Sequence, residues 1–196
     1  MNDYQFLLDF ISSNKTREFT FVPNYGITYN EPKFKCKWKN IHEFFSPITD
    51  YEIQRLEEKM NVSIPLEYKY FLENVSNGLH LYLTSFCLDG KRTHYDRIRF
   101  APQPFDIITK NTLERPKNAT ADMLFIGGYD WDGSCLYIDN SDGSVHLCKE
   151  WDTTSLKRWD SFYNMILSEV KRLKDLYGEN GEKYSDDICS LPLPTT

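Results

Sequence analysis

The chain has 196 residues, enough for one well-packed domain with extensions and cramped for two. Hydrophobic residues make up 40% of it and aromatics 15%, which excludes a chain too polar to build an interior. Its formal charge of -6 argues against wrapping a phosphate backbone without sequence preference and suits a basic partner instead.

The opening MNDYQFLLDFISSNK has neither a basic leading region nor a small-residue cleavage site, and no apolar run approaches the length of a membrane span. Cys36, Cys87, Cys135, Cys148 and Cys189 are odd in number, scattered and without a CxxC pair, as suits a reducing compartment. A cytoplasmic location is expected, with no membrane contact.

Tyr4, Leu7, Leu8 and Ile11 recur at helical spacing behind the caps Asn2 and Asp3, which predicts a short amphipathic helix over 3–12. In KFKCKWK (33–39), Phe34, Cys36 and Trp38 alternate with lysines, predicting a half-buried strand with a lysine edge. From Pro47 the signals sharpen. Thr49 and Glu52 have the spacing of a capping box, and Ile53, Leu56 and Met60 then line one face of a helix. A second helix follows in IPLEYKYFLENVSNG, with Pro65 in its first turn, Leu66, Tyr70, Phe71 and Val75 facing inward, and Asn77-Gly78 as its stop.

After Gly78 the period becomes that of strands: 80–87, 97–101, 122–127, 134–139 and 144–149 are short β-rich runs between turn residues. The last element is a long amphipathic helix starting near Asp160 or Ser161 and stopping at Gly178, with Phe162, Met165, Ile166, Val170, Leu173 and Tyr177 along one stripe. The expected fold is α+β, an antiparallel β-sheet meander packed with two N-terminal helices and one long C-terminal helix. Its expected parts are an N-terminal extension (1–46), a core domain (47–177) and an extended or poorly ordered tail (178–196).

The stretch FIGGYDWDGSCLYIDNSDGSVHL (125–147) is crowded with glycine and aspartate. Read as a calcium loop from Asp130, it has Asp132 and Ser134 in ligand positions, but Cys135 stands where the sharp turn needs glycine and Ser141 where the bidentate glutamate belongs. Gly127-Gly128 lacks the partners of a phosphate cradle. A hairpin accounts for more residues: a four-residue loop from Asn140 to Gly143 sets Asp139 opposite Ser144 and Cys135 opposite Cys148, two half-buried reduced thiols.

Taken in order, three segments resemble the SUKH superfamily: the run from Ile48 to Gly78, the glycine-bearing stretch at 127–147, and SFYNMI at 161–166. The residues that carry the first are Ile53, Glu57, Ile64, Pro65, Tyr68, Phe71, Leu72, Asn77 and Gly78; Leu79 stands where a second glycine is usual, and 1–46 and 178–196 lie outside the likeness. The resemblance implies an α+β domain without catalytic residues. It implies either a bacterial immunity protein that neutralises a cognate toxin, often a nuclease, or an intracellular regulatory scaffold like the fungal relatives in cell-wall-synthesis signalling.

No G-x-S-x-G elbow or H-E-x-x-H helix is present, and His42, His80, His94 and His146 are dispersed. No catalytic, metal or cofactor residues are therefore predicted. KRTHYDRIRF (91–100) has a composition that can hold a phosphate or stack a base, a third reading set against that of a solvated loop. The denser feature lies between 130 and 152, where Asp130, Asp132, Asp139, Asp142, Glu150 and Asp152 face one base, Lys149, and Trp131 and Trp151 each sit between two acids. Either both tryptophans are core residues and the acids solvate turns, or Asp130, Trp131, Asp132, Glu150, Trp151 and Asp152 form a partner-binding surface. The partner expected on the second reading is a cognate protein toxin with a basic nuclease domain, bound by a monomer or weak homodimer that touches no nucleic acid directly.

Overall fold

The computed structural model describes residues 4–12, 18–22, 26–30, 42–93, 103–178, 183–185 and 189–193. Nine strands among them form one antiparallel sheet whose spatial order is the chain order: β1 (Glu18–Val22), β2 (Gly26–Asn30), β3 (His42–Phe45), β4 (Leu79–Leu81), β5 (Phe86–Leu88), β6 (Met123–Gly128), β7 (Cys135–Asp139), β8 (Val145–Lys149) and β9 (Asp152–Trp159). This is the expected meander, since every strand pairs with its successor in sequence. The helices are α1 (Gln5–Ser12), α2 (Asp50–Met60), α3 (Leu66–Asn74), α4 (Ile107–Asn111) and α5 (Phe162–Leu176).

The strands alternate. Leu124, Ile126, Leu136, Ile138, Val145 and Leu147 point to one face, where they join Leu7, Ile53, Leu56, Tyr68, Phe71, Leu72, Phe162, Met165, Ile166 and Leu173 from the helices in the main core. Phe125, Cys135, Tyr137 and Cys148 point to the other face and form a smaller cluster with Ala119 and Met123. Of the predicted α1 stripe, Tyr4 and Leu7 are buried, and Phe10 joins them.

At α2 the capping box forms as its spacing requires: Glu52 N donates to Thr49 Oγ1 at 3.3 Å, and Thr49 N donates to Glu52 Oε2 at 2.8 Å. Helix α3 starts one residue after Pro65 and ends at Asn74, so Asn77-Gly78 leads into β4 rather than stopping the helix. Leu66, expected to face inward, is 84% exposed. The buried stripe of α3 is Tyr68, Phe71 and Leu72, and at roughly 100° per residue Leu66 lies across the helix from Tyr68.

The run 80–87 is two strands joined by a turn at Tyr82–Ser85, in which Tyr82 and Leu83 take φ of 47° and 66°. A positive φ at two bulky residues is a conformation that propensity disfavours; here Tyr82 is held by stacking on Tyr177, ring centroids 3.9 Å apart. Strand β9 (DTTSLKRW) has Leu156 and Trp159 as its large apolar residues, three positions apart and so without a strand's alternation. Strands β1 and β2 lie in a segment marked only by punctuation, and β3 lies between the predicted strand at 33–39 and the helix behind Thr49, where no element is predicted. The predicted strands at 33–39 and 97–101 lie outside the described residues, as does Cys36. From the tail, Leu191 is buried and Leu193 packs against the main core, which replaces the expected loose arm at those positions.

Candidate functional site

The paired glycines at 127–128 are explained by backbone crowding. A Cβ on Gly127 would lie 2.0 Å from Cys87 O, and one on Gly128 would lie 2.2 Å from Ser134 O. Gly127 is crowded by β5 and Gly128 by the residues that open β7, next to the bulge where β6 changes register against β7 between Phe125 and Gly127. At the far end of β7, Gly143 N donates to Asp139 O at 2.8 Å and Asp139 N to Ser144 O at 2.9 Å, so the 140–143 loop is the predicted one. Cys135 stands opposite Cys148, both thiols are free, and burial pushes Cys148 up to about 12 and Cys135 upward too. Such thiols are packing groups with little nucleophilic character at neutral pH.

Two hairpin turns meet at the same end of the sheet. In the β6–β7 turn, Tyr129 is buried against Phe86 and its N–H donates to Ser134 O at 2.9 Å, closing the loop. Asp132 Oδ1 accepts from Ser134 N at 2.9 Å, Gly133 takes φ +75°, and Asp130 Oδ2 accepts from Thr84 Oγ1 at 3.1 Å. These bonds project Trp131, 45% exposed, with Lys183 Nζ 4.4 Å from its ring centroid. The β8–β9 turn is tighter still: Lys149 pairs with Asp152, leaving Glu150 and Trp151 as its tip. Trp151 is 61% exposed.

Because β7 pairs with β8, the turns lie side by side, and a Cβ at Gly133 would be 3.3 Å from Glu150 Oε2. Both tryptophans are therefore surface residues. All four acids of the predicted surface are exposed, though not equally free. Asp152 Oδ1 accepts from Asn118 Nδ2 at 2.9 Å and from Thr154 N at 3.0 Å, and the Thr154 and Asn118 bonds hold its carboxyl below the usual range. Asp152 thus fixes the start of β9, whereas the Glu150 carboxylate has no hydrogen-bond partner among the described residues.

Sequence reasoning missed a recess beside these turns. A cavity of about 250 Å³ is lined by Thr84, Cys87 and Asp89 from β5 and its flanks, Phe105 and Lys110 at α4, and Gly127 to Asp130 with Gly133 and Ser134. Asp89 is 1% exposed, and its Oδ2 has no hydrogen-bond partner; the same is true of buried Ser134 Oγ. The backbone around Asp89 is fixed, its N–H donating to Ile126 O at 2.7 Å and its carbonyl accepting from Tyr68 Oη. Burial pushes the Asp89 carboxyl up to about 6, against the pull of Lys110 and His80. Nothing in FCLDGK distinguishes this aspartate from a turn residue; only the closing of β6 and α4 over it buries it.

His80 is bonded through Nδ1 to Glu43 Oε2 at 2.8 Å, and His42 is buried, while His94, Arg97 and Arg99 lie outside the described residues. Lys91 of the basic segment is held by Glu52 at 2.5 Å. Among the described residues no cluster of His, Cys, Asp and Glu is arranged to hold a metal ion, and no helix is long and apolar enough to cross a membrane.

An α+β protein with a continuous meander, helices over its main core and two aromatic, acidic hairpin tips is the class that fold and site define. The chain belongs to the SMI1 / KNR4 family (SUKH-1), which matches residues 47–168, more than half of its length. No curated protein matches the sequence.

Proposed function

We propose that this chain is a non-enzymatic immunity protein, which binds a cognate bacterial toxin with a basic active region and blocks it by occupation. The single observation that carries the reading is the pair of exposed tryptophans, Trp131 and Trp151, projected among acids from adjacent turns. Large exposed aromatics anchor interfaces, and a surrounding negative field speeds encounter with a basic surface. A nuclease is basic where it holds phosphate, so a negative face with two aromatic anchors complements it. Membership of SUKH-1 supports a protein-binding role.

The test is co-expression with the toxic domain of a candidate cognate toxin, a basic nuclease domain sought among the neighbouring genes. The native chain preserves growth, and Asp130→Lys with Glu150→Lys and Trp151→Ala removes protection while urea unfolding stays unchanged. Full protection by this folded triple variant would refute the assignment of the face.

A further inference from the structure

The cavity next to the acidic turns is built like a receptor for one side chain. At about 250 Å³ it falls just below the roughly 300–1,000 Å³ of small-molecule sites, so it is small for a cofactor. Its lining includes the buried Asp89 carboxylate, whose Oδ2 accepts no hydrogen bond although the residue is 1% exposed. A buried acceptor without a donor is disfavoured by about 1–3 kcal/mol, more for a charged group, so a ligand that brings donors gains what the free protein forgoes.

Lys110, the cation of the lining, does not supply them: it pairs with Glu114 at 3.5 Å and lies 3.8 Å from Cys135 Sγ, and no ion pair joins it to Asp89 among the described residues. Asp130 lines the same cavity and, through the Thr84 bond to one oxygen, is fixed at its turn end. Gly127 and Gly128 leave the strand wall without side chains, and Phe105, 46% exposed, offers an aromatic face.

We infer that this cavity receives an arginine side chain of the bound partner, its guanidinium donating to Asp89 and Asp130 and its plane resting on Phe105. A guanidinium suits the site better than an ammonium, because it is planar, weakly hydrated and able to donate in several directions while stacking on a ring. The inference deepens the proposed function and rests on it: the cavity opens beside the Trp131 turn, so an arginine from a basic partner seated on that face reaches it.

The experiment uses the full chain, labelled with nitrogen-15, and titrates it with Nα-acetyl-L-arginine amide, the citrulline counterpart and the lysine counterpart. The arginine amide shifts the Gly127, Gly128 and Ser134 amide resonances saturably, the other two do not, and Asp89→Asn weakens binding roughly tenfold or more. A well-dispersed Asp89→Asn spectrum establishes that this variant is folded. Absence of the shifts, equal shifts with citrulline or lysine amide, or unchanged affinity in folded Asp89→Asn would each overturn the inference. The failures are separable. If the arginine amide binds but the turn triple variant still protects cells, the assignment of the partner face falls while the cavity's affinity for a guanidinium stands; if protection is lost but no arginine amide binds, the face stands and the cavity inference falls.

Discussion

Replacing Asp89 by asparagine isolates the energetic burden of keeping a carboxylate buried at 1% exposure. In the folded chain burial raises this carboxyl from 3.8 to about 6. A group whose pKa rises on folding adds stability that is fully present below its unfolded pKa and lost as pH climbs through the folded one. At 1.36 kcal/mol per pKa unit, that shift corresponds to roughly 3 kcal/mol lost between about pH 4 and pH 7. Asparagine cannot ionise, so Asp89→Asn unfolds at higher urea than the native chain at pH 8, and the two converge near pH 4. The amide's own unmet hydrogen bonds offset part of the gain, leaving roughly 1–3 kcal/mol at pH 8, or about 2–4 °C of Tm per kcal/mol for a chain of this size. The assay is urea unfolding of both proteins from pH 4 to 8, read as the difference, which cancels every other titrating group. A difference that stays flat across this range would show that Asp89 is not desolvated and would refute the reasoning.

Two further substitutions test the scaffold under the turns. Arg172 clasps Glu169, 0% exposed on α5, and also donates to Ser190 O at 2.8 Å; Arg172→Ala strands that buried carboxylate, and chemical unfolding should show a loss of about 3–5 kcal/mol, while adding Glu169→Gln restores a large part of it. Gly127→Ala sets a methyl 2.0 Å from Cys87 O and forces β5 from β6, so Tm should drop by several degrees or soluble expression fail, whereas Gly143→Ala, with nothing within 4 Å of its added carbon, meets only its φ of +77° and loses about 1–2 kcal/mol.

What was legible in the sequence was whatever a local rule decides. The capping box at Thr49–Glu52, the α5 stripe and the turn at 140–143 each follow from residues within a few positions of one another, and each forms. The residues that resemble SUKH also acquire physical roles: Glu57 Oε1 accepts from Ile64 N at 2.8 Å, Asn77 bridges the Lys91 backbone in both directions at 2.9 and 2.7 Å, and Gly78 takes φ +86°. Illegible were elements whose stability comes from neighbours. Strand β9 has little apolar pattern of its own and forms because β8 offers it a free edge. Helix α4 is five residues long, too short to stand alone, and is pinned where Asn111 takes both the N–H and the C=O of Phe125. The candidate site divided the same way: the acids and tryptophans of the turns were visible because exposed polar clusters announce themselves, but Asp89 is made unusual only by what closes over it.

That division bears on how the molecule spends its stability. The last four strands of the meander follow one another through short turns, and the β6–β7 and β7–β8 turns are satisfied by their own side chains, as Asp132, Asp139 and Asp142 show by accepting from the backbone N–H two residues on. Acids of that kind would persist on a protein with no partner at all. Glu150, Trp131, Trp151 and Asp89 are different, for none of them is required by the local backbone: Glu150 has no bond to a described residue, the tryptophans are exposed, and Asp89 is disfavoured where it lies. Groups that the local backbone does not require, gathered at one end of one sheet, are the ones that the proposed function puts to use. On the proposed function this separates Asp132 and Asp152, which accept from the turn backbone, from Glu150 and from Asp130, whose bond is to the Thr84 hydroxyl, so charge reversal at Asp130 and Glu150 disturbs the backbone of the turns least.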